Sequence, residues 1–360
     1  MVFWTTLGAL TPVAFILLLG YLAGRHGEFD QDQVAGLNDL ALNYALPANL
    51  LISMATIKRS ALLSEVPLLI ILVIVMGGGF LLALTIASVV AHQNRVNSVL
   101  MALCAVNAAI PVYGIAVLSQ LFPKQGAALV PLAALVVNIV QVPVALALLD
   151  SAPHAESGAS HDNQADSGNS GDAGSSGDSG GSGGTTTKTK PETKTQTQSQ
   201  TQTKKKSKAS SVVSVIVSTL KKPLVWAPLA GTIYALLALP VPAVAKQSLT
   251  LLGEATSGVA IFAAGIILVA NPPRFSRMVG LLMGVRCIVL PAVVYGLVLV
   301  FGISGPLAQQ TVVGFTLPMG VLTVQLALRY KSFTQQSATI LFFSTVATFV
   351  LLPVVYLLTS

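Results

Sequence analysis

The sequence predicts an all-α membrane protein of about ten transmembrane helices, arranged as two inverted five-helix repeats whose fourth and ninth helices are broken by proline. Hydrophobic residues make up 53% of the 360 residues and charged residues only 9%, against about a quarter charged in a soluble domain. Apolar stretches of about 20 residues, the length that spans a bilayer, stand on both sides of a polar segment. One stretch in each half carries a proline near its middle, Pro111 or Pro318.

The predicted spans follow one another with short polar connections. They lie near residues 3–24, 36–57, 66–91, 97–120 and 127–149 in the first half, and near 212–239, 249–270, 278–301, 307–328 and 336–358 in the second. The first stretch has no Lys or Arg before it and no cleavage site followed by a soluble domain, so we interpret it as a retained span. An odd number of spans in each half inserts the halves with opposite topology, which is the inverted repeat of many secondary transporters.

A polar segment divides the chain. We assign a first repeat to 1–150, a linker to 151–211 and a second repeat to 212–360. The linker contains no Val, Ile, Leu, Met, Phe, Trp or Tyr. Such a segment cannot bury enough apolar surface to offset its ordering entropy, which predicts disorder.

Lys and Arg beside the spans predict the orientation, because short cytoplasmic loops carry the excess of both. Alternate loops hold Arg25, Arg95, the lysine-rich linker, Arg274 with Arg277, and Arg329 with Lys331. We therefore expect a multi-pass protein of the plasma (cell inner) membrane, with both termini outside and the linker in the cytoplasm. These loops and the linker account for most of the net charge of +7, so nucleic-acid binding is not needed to explain it.

The two proline breaks are the main candidates for a functional site. A proline inside a span leaves backbone groups unpaired in a medium without water, which a chain tolerates where those groups line a cavity or bind a ligand. Pro111 is preceded by Asn107, and Pro318 is followed by Gly320. A half-helix that begins at such a break presents free N–H groups and the positive end of its dipole, which suits a carboxylate. The alternative is two proline kinks packed against their neighbours.

Few other polar residues lie inside the predicted spans, and they complete the candidate binding site: Asn43, Asn138, Gln141, Arg286 and Gln325. Asn and Gln can hold a carboxylate without a buried charge, although an interhelical hydrogen bond is an equal alternative for each of them. Arg286 is a functional candidate because it is a charge deep in a span. It could neutralise a substrate, pair with Glu254 or extend toward Arg277.

The remaining reactive residues do not indicate catalysis. Asp39 and Glu254 lie near the predicted starts of two spans, where a carboxylate stabilises the helix dipole, so we predict capping and not proton coupling. Cys104 and Cys287 lie inside spans and are predicted to be packing residues. The predicted spans contain no HExxH, GxSxG or Walker-type glycine loop. We predict no enzymatic activity, no metal and no cofactor.

Three motifs resemble those of a known family. Leu317, Pro318, Met319, Gly320 and Val321, followed by Ala327 and Tyr330, resemble the LP-x-G-(I/V) … A-x-x-Y signature in the ninth helix of the auxin efflux carrier family. That family includes the plant PIN-FORMED carriers and bacterial carriers often called malonate transporters. Its sixth helix resembles KKPLVWAPLAGTIYALLALPVP, and its second resembles ALNYALPANLL. The resemblance covers essentially the whole chain outside the linker.

The resemblance implies a scaffold set and a transport set of helices, with the fourth and ninth helices crossing at their prolines and an anionic carboxylate bound beside the crossover. The implied site residues are Asn107 and Pro111, Asn43, Asn138 and Gln141, with Pro318 and Gly320 opposite. One spacing differs, because the family's fourth helix usually reads N-x-x-x-x-G-(I/L)-P, whereas Pro111 is the fourth residue after Asn107. Either the crossover has shifted by about one turn, or about 3.6 residues, or Asn107 is not the equivalent residue.

These observations predict a secondary transporter of small organic anions that works by alternating access at a helix crossover, with a malonate-like dicarboxylate as the leading substrate. The alternatives are a sodium-coupled anion symporter similar to the bile acid family, and a membrane sensor or scaffold that does not transport. The predicted partners are the organic anion and the lipid bilayer, with no nucleic acid. The sequence leaves a homodimer open.

Overall fold

The computed structural model describes residues 2–29, 31–57, 65–124, 127, 129–151, 222–270 and 272–359. The predicted linker, apart from Ser151, lies outside these residues. So do residues 212–221, with which the sixth span was predicted to begin.

The described residues form helices, numbered α1 to α12, and contain no β-strand. The first half contains α1 (Val2–Arg25), α2 (31–55), α3 (Val66–Val90), α4 (Arg95–Val106), α5 (Ile110–Leu121) and α6 (Leu129–Asp150). The second half contains α7 (Pro223–Leu236), α8 (Ala243–Ala270), α9 (Arg277–Val300), α10 (Pro306–Phe315), α11 (Leu322–Arg329) and α12 (Thr334–Thr359). Among the helices described, α3, α6, α8, α9 and α12 are long and apolar enough to cross a membrane. The architecture is that of an all-helical membrane protein.

Two helices begin earlier than the apolar pattern indicates. Helix α2 begins at Gln31 and α8 at Ala243, before the predicted 36 and 249, because their first turns are polar or mixed in composition. Asp39 and Glu254 consequently lie at least about two turns inside their helices. The first turn of α2 holds Asp32, and the first turn of α8 holds no acid. The prediction that Asp39 and Glu254 cap their helices is therefore wrong.

Three helices widen into a π-helical turn that ends two residues before a proline. The turns are Ala41–Ala45 before Pro47 in α2, Val137–Gln141 before Pro143 in α6, and Val285–Val289 before Pro291 in α9. A proline lacks the N–H of a normal helical hydrogen bond, and its ring crowds the carbonyl group four residues earlier. A wider turn relieves both problems without ending the helix.

Helices α1, α2, α7 and α8 form a close-packed group. The α1–α8 and α2–α7 contacts are the most extensive helix contacts among the described residues. At Gly20, Gly231 and Gly265, an added Cβ would collide with a backbone atom of the opposite helix. In lipid, the hydrophobic effect does not drive helices together. Close packing at small residues, which let the backbones approach, stabilises the contact instead.

Gly265→Ala is expected to lower the stability of this group by about 1–3 kcal/mol, the usual cost of overpacking. The new methyl group would collide with the Leu17 carbonyl oxygen and would lie 2.8 Å from Tyr21 N. Gly258→Ala in the same helix is the matched control, because no described atom across the contact lies within 4 Å of a Cβ there. The measurement is the midpoint of thermal unfolding in detergent. Equal midpoints for the two variants would contradict the packing argument.

Candidate functional site

The two proline breaks contact each other through their backbones. Helix α4 ends before Asn107, whose backbone is extended. The Asn107 carbonyl oxygen accepts a hydrogen bond from Gly320 N at 2.9 Å, and Ala109 N donates to Pro318 O at 3.0 Å. These bonds form an isolated antiparallel β-bridge in which Ala108 pairs with Met319. Segments from the two halves of the chain are thus joined at the points where their helices stop.

Each proline has a defined place in its break. Pro111 lies in the first turn of α5, where a missing N–H costs little because first-turn N–H groups have no partner within the helix. It therefore begins a helix and does not kink one, and α5 has its N-terminus at the bridge. Pro318 lies in the connection between α10 and α11, where its carbonyl oxygen takes part in the bridge.

Arg286 pairs with two carbonyl groups in the connection that follows α10. It lies in the π turn of α9, its side chain is 1% exposed, and its Nη2 donates to Leu317 O at 2.6 Å and to Pro318 O at 3.2 Å. Among the described residues, its Nε and Nη1 have no hydrogen-bond partner. Arg286 is buried and donates to these carbonyl groups, whereas Glu254 is exposed, so an ion pair with Glu254 and extension toward Arg277 do not describe its conformation. The unpaired N–H groups are donors that an anion would satisfy.

Two hydroxyl groups of α12 pair with further backbone groups of the second break. Thr348 Oγ1 donates to Thr316 O at 3.0 Å, and Met319 N donates to Ser344 Oγ at 3.2 Å. Both hydroxyl-bearing residues are buried. The backbone groups that the proline releases from helical bonding are thus paired with side chains, as a buried backbone in lipid requires.

Asn107 lies directly on the bridge. It is 3% exposed, and its Nδ2 donates to Thr323 Oγ1 at 3.3 Å. A Cβ at position 320 would lie 2.7 Å from Asn107 Nδ2, so Gly320 provides the space that the Asn107 side chain occupies. The sequence analysis missed Thr323, which is fully buried beside Asn107. Its only sequence signal is a lone hydroxyl inside an apolar helix just after the Pro318 break.

Of the predicted binding residues, the structure brings together Asn107, Pro111, Pro318, Gly320 and Arg286. Gln325 follows on α11, buried, with its backbone oxygen accepting from Asn38 Nδ2 at 3.0 Å. The Gln325 Nε2 and the Asn38 Oδ1 have no hydrogen-bond partner among the described residues. Asn38 is another buried polar residue that sequence reasoning missed, because it lies among the first residues of the predicted span 36–57 and resembles a helix-end residue.

Asn43, Asn138 and Gln141 are not hydrogen-bonded to the breaks in the part of the chain that the structure describes. All three lie in π turns, and Asn43 accepts a hydrogen bond from Arg329 Nη1 at 3.2 Å. Asn138 and Gln141 are buried, and neither amide atom of Gln141 has a described partner. A buried amide with both atoms unpaired is a place where a water molecule or a polar ligand would bind.

The described residues offer little for metal chemistry. They contain no group of three or more His, Cys, Asp or Glu side chains placed to hold a metal ion. Cys104 is buried in α4, Cys287 is partly buried in α9, and both are free thiols.

Comparison with known proteins assigns the chain to a class. A family model described as "Membrane transport protein" matches residues 5–356. The chain is similar to "Uncharacterized transporter YfdV" of Escherichia coli strain K12, with 26% identity over 331 residues that cover 91% of this chain and 90% of that protein. Proteins with the same name from Escherichia coli O157:H7 and Shigella flexneri match to the same extent. The family match includes both proline breaks.

Ala109→Pro is expected to destabilise the protein by about 1–3 kcal/mol, because it removes a donor of the bridge and places a ring carbon against Pro318 O. The φ of Ala109, −75°, is one that proline adopts, so the helix start itself should tolerate the change. Ala109→Gly keeps the N–H and is the control. Thermal unfolding in detergent measures the difference. If the proline variant unfolds at the temperature of the glycine variant, the bridge contributes nothing measurable.

Proposed function

The chain belongs to the membrane transport protein family, which includes the auxin efflux type of carrier that its ninth-helix motif resembles, and on this premise we propose that it is a secondary transporter of small organic anions. The leading substrate is a malonate-like dicarboxylate. The observation that carries the proposal is the buried Arg286, which lies beside two helix breaks that are bonded to each other. Its Nε and Nη1 groups donate to no described residue.

The charge at the breaks favours an anion. Among the described residues, no acidic side chain forms an ion pair with Arg286, and an uncompensated cation within a membrane is costly. The N-terminus of α5 adds the positive end of a helix dipole at the same place. A carboxylate would offset both, and its oxygens match the N–H groups of a guanidinium.

The proposed binding residues fall into two sets. Asn107, Pro111, Pro318, Gly320 and Arg286 would meet one carboxylate at the bridge. Asn43, Asn138, Gln141 and Gln325 would supply uncharged donors and acceptors to the rest of the molecule. Since the second set is not hydrogen-bonded to the breaks in this conformation, the proposal requires a movement that brings it to the substrate.

The proposed architecture is ten spans in two inverted repeats, 1–150 and 212–360, joined by a cytoplasmic linker at 151–211. In this arrangement α4 with α5 is the fourth span, α10 with α11 is the ninth, and they cross at their prolines. Alternating access would move α3–α6 and α9–α12 against the close-packed group of α1, α2, α7 and α8. The glycine contacts within that group support its role as the stationary part.

The test is uptake of labelled malonate by proteoliposomes containing the purified protein. We expect time-dependent accumulation, and at least about a tenfold slower initial rate in Asn107→Ala, since a hydrogen bond to a charged group contributes about 1.5–3 kcal/mol. Gln120→Ala removes an exposed amide from α5 and is expected to leave the rate within about twofold of wild type. Saturable binding without accumulation under any gradient would reject transport and favour a sensor or scaffold.

The anionic character of the substrate has a separate test. Unlabelled malonate should compete for uptake, whereas the neutral diamide malonamide should not, because the proposed site pairs a carboxylate with Arg286. Equal competition by the two compounds would contradict the assignment of an anion. Dependence of uptake on Na⁺, measured in the same vesicles with K⁺ as control, would identify the sodium-coupled alternative.

A further inference from the structure

The far end of α11 is held by a second cluster of polar side chains. Tyr330 follows the last residue of α11, and its hydroxyl donates to Asp150 Oδ1 at 2.6 Å. Lys222 Nζ donates to the same oxygen at 2.6 Å and lies 2.6 Å from Asp150 Oδ2. Burial, followed by the neighbouring carboxylate, raises the pKa of Tyr330, so its hydroxyl keeps its proton and remains a donor. One carboxylate thus serves two donors.

These three residues come from three helix ends. Asp150 is the last residue of α6, Lys222 immediately precedes α7, and Tyr330 immediately follows α11. Helix α7 belongs to the close-packed group, whereas α6 and α11 do not. The ion pair between Lys222 and Asp150 joins α7 of the close-packed group to α6, and the Tyr330 hydrogen bond joins α6 to α11, the helix that follows the second break.

Two further bonds join the same two parts of the molecule. Asn38 of α2 donates to Gln325 O on α11, and Arg329 at the end of α11 donates to Asn43 of α2. Helix α11 is therefore attached to the close-packed group along its length, from one turn after the bridge to its last residue. At about 1.5 Å per residue, the cluster at Tyr330 lies about 12 Å along α11 from its first turn at the bridge.

We propose that Asp150, Lys222 and Tyr330 form a latch that keeps the two breaks closed toward the side of the membrane at which α11 ends. The inference rests on the proposed alternating access and identifies the contact that must open on that side. The burial of Asn107 and Arg286 agrees with a closed state. The latch residues themselves are partly exposed, with 29% of the Lys222 side chain and 19% of the Asp150 side chain accessible. Water can reach them, so the contact can be broken and re-formed.

A native thiol reports on the closed state. Cys104 is fully buried in α4, three residues before Asn107. It lies about 10 Å along the helix from Asn97, whose Oδ1 accepts from Ser332 next to the latch. Opening of the latch side should expose Cys104 to water, whereas fraying of the helix ends alone should not. The rate at which a charged, water-soluble maleimide modifies Cys104, followed by peptide mass spectrometry, therefore measures the opening.

The experiment compares Lys222→Gln and Tyr330→Phe with the wild-type protein in lipid nanodiscs. Each variant removes one donor from Asp150. We expect Cys104 to be modified about three- to tenfold faster in both variants, because this factor corresponds to the strength of one partly exposed ion pair or hydrogen bond. Lys222→Arg keeps the cation and should retain the wild-type rate. Arg95→Gln removes an exposed positive charge at the start of α4 and is the control for charge alone, with no change expected.

Hydrogen exchange of the α1–α8 contact in the same samples checks that the variants remain folded. Unchanged exchange there together with faster Cys104 modification supports the latch. Unchanged Cys104 modification in both Lys222→Gln and Tyr330→Phe overturns it, even if the ends of α6 and α11 exchange faster. The measurement does not depend on turnover. Faster Cys104 modification in the variants, without accumulation of any carboxylate, would therefore uphold the latch and reject transport. Accumulation of a carboxylate, with unchanged Cys104 modification in the variants, would uphold transport and reject the latch.

Discussion

Two backbone hydrogen bonds between the breaks are the interaction on which the rest of this structure depends. A helix in lipid normally satisfies its own N–H and carbonyl groups, and an interrupted helix cannot. Here each interruption supplies a donor and an acceptor to the other, Asn107 O with Gly320 N and Pro318 O with Ala109 N. The first half of the chain cannot pair its break without the second. Both halves must therefore fold together before either break is paired.

The bridge needs support from side chains, because two hydrogen bonds satisfy only part of each break. Arg286 from α9 and the hydroxyl groups of Ser344 and Thr348 from α12 pair with further backbone groups of the second break. Removing a guanidinium from water is expensive, and the hydrogen bonds to the carbonyl oxygens of Leu317 and Pro318, just beyond the C-terminus of α10, offset part of that cost. The same residue therefore stabilises the break and leaves positive charge beside it, which connects the fold to the proposed choice of an anion.

The sequence predicted the features that depend on local chemistry. Apolar length indicated a membrane protein, the ninth-helix motif indicated the family that the comparison confirms, and proline with polar neighbours located the positions at which the helices stop. Features that depend on distant partners were missed or left open. Arg286 pairs with carbonyl groups, which every residue possesses, so no residue pattern could reveal the pair. Thr323 and Ser344 were missed because a lone hydroxyl in an apolar helix commonly bonds within its own helix. The inverted repeats, the domain boundaries and the orientation stay predictions.

The contact between Asp150 and Lys222 has a consequence for how the chain is assembled. The described part of the first half ends at Ser151, next to Asp150, and that of the second begins at Lys222, whose side chain contacts Asp150. The polypeptide between residues 151 and 222 therefore has only a short gap to span, so this contact does not require a long connection. Besides the peptide connection, the halves are joined by the bridge, by the α1–α8 and α2–α7 contacts and by the ion pair between Asp150 and Lys222. We expect two separate polypeptides, divided between these residues, to make the same contacts as one.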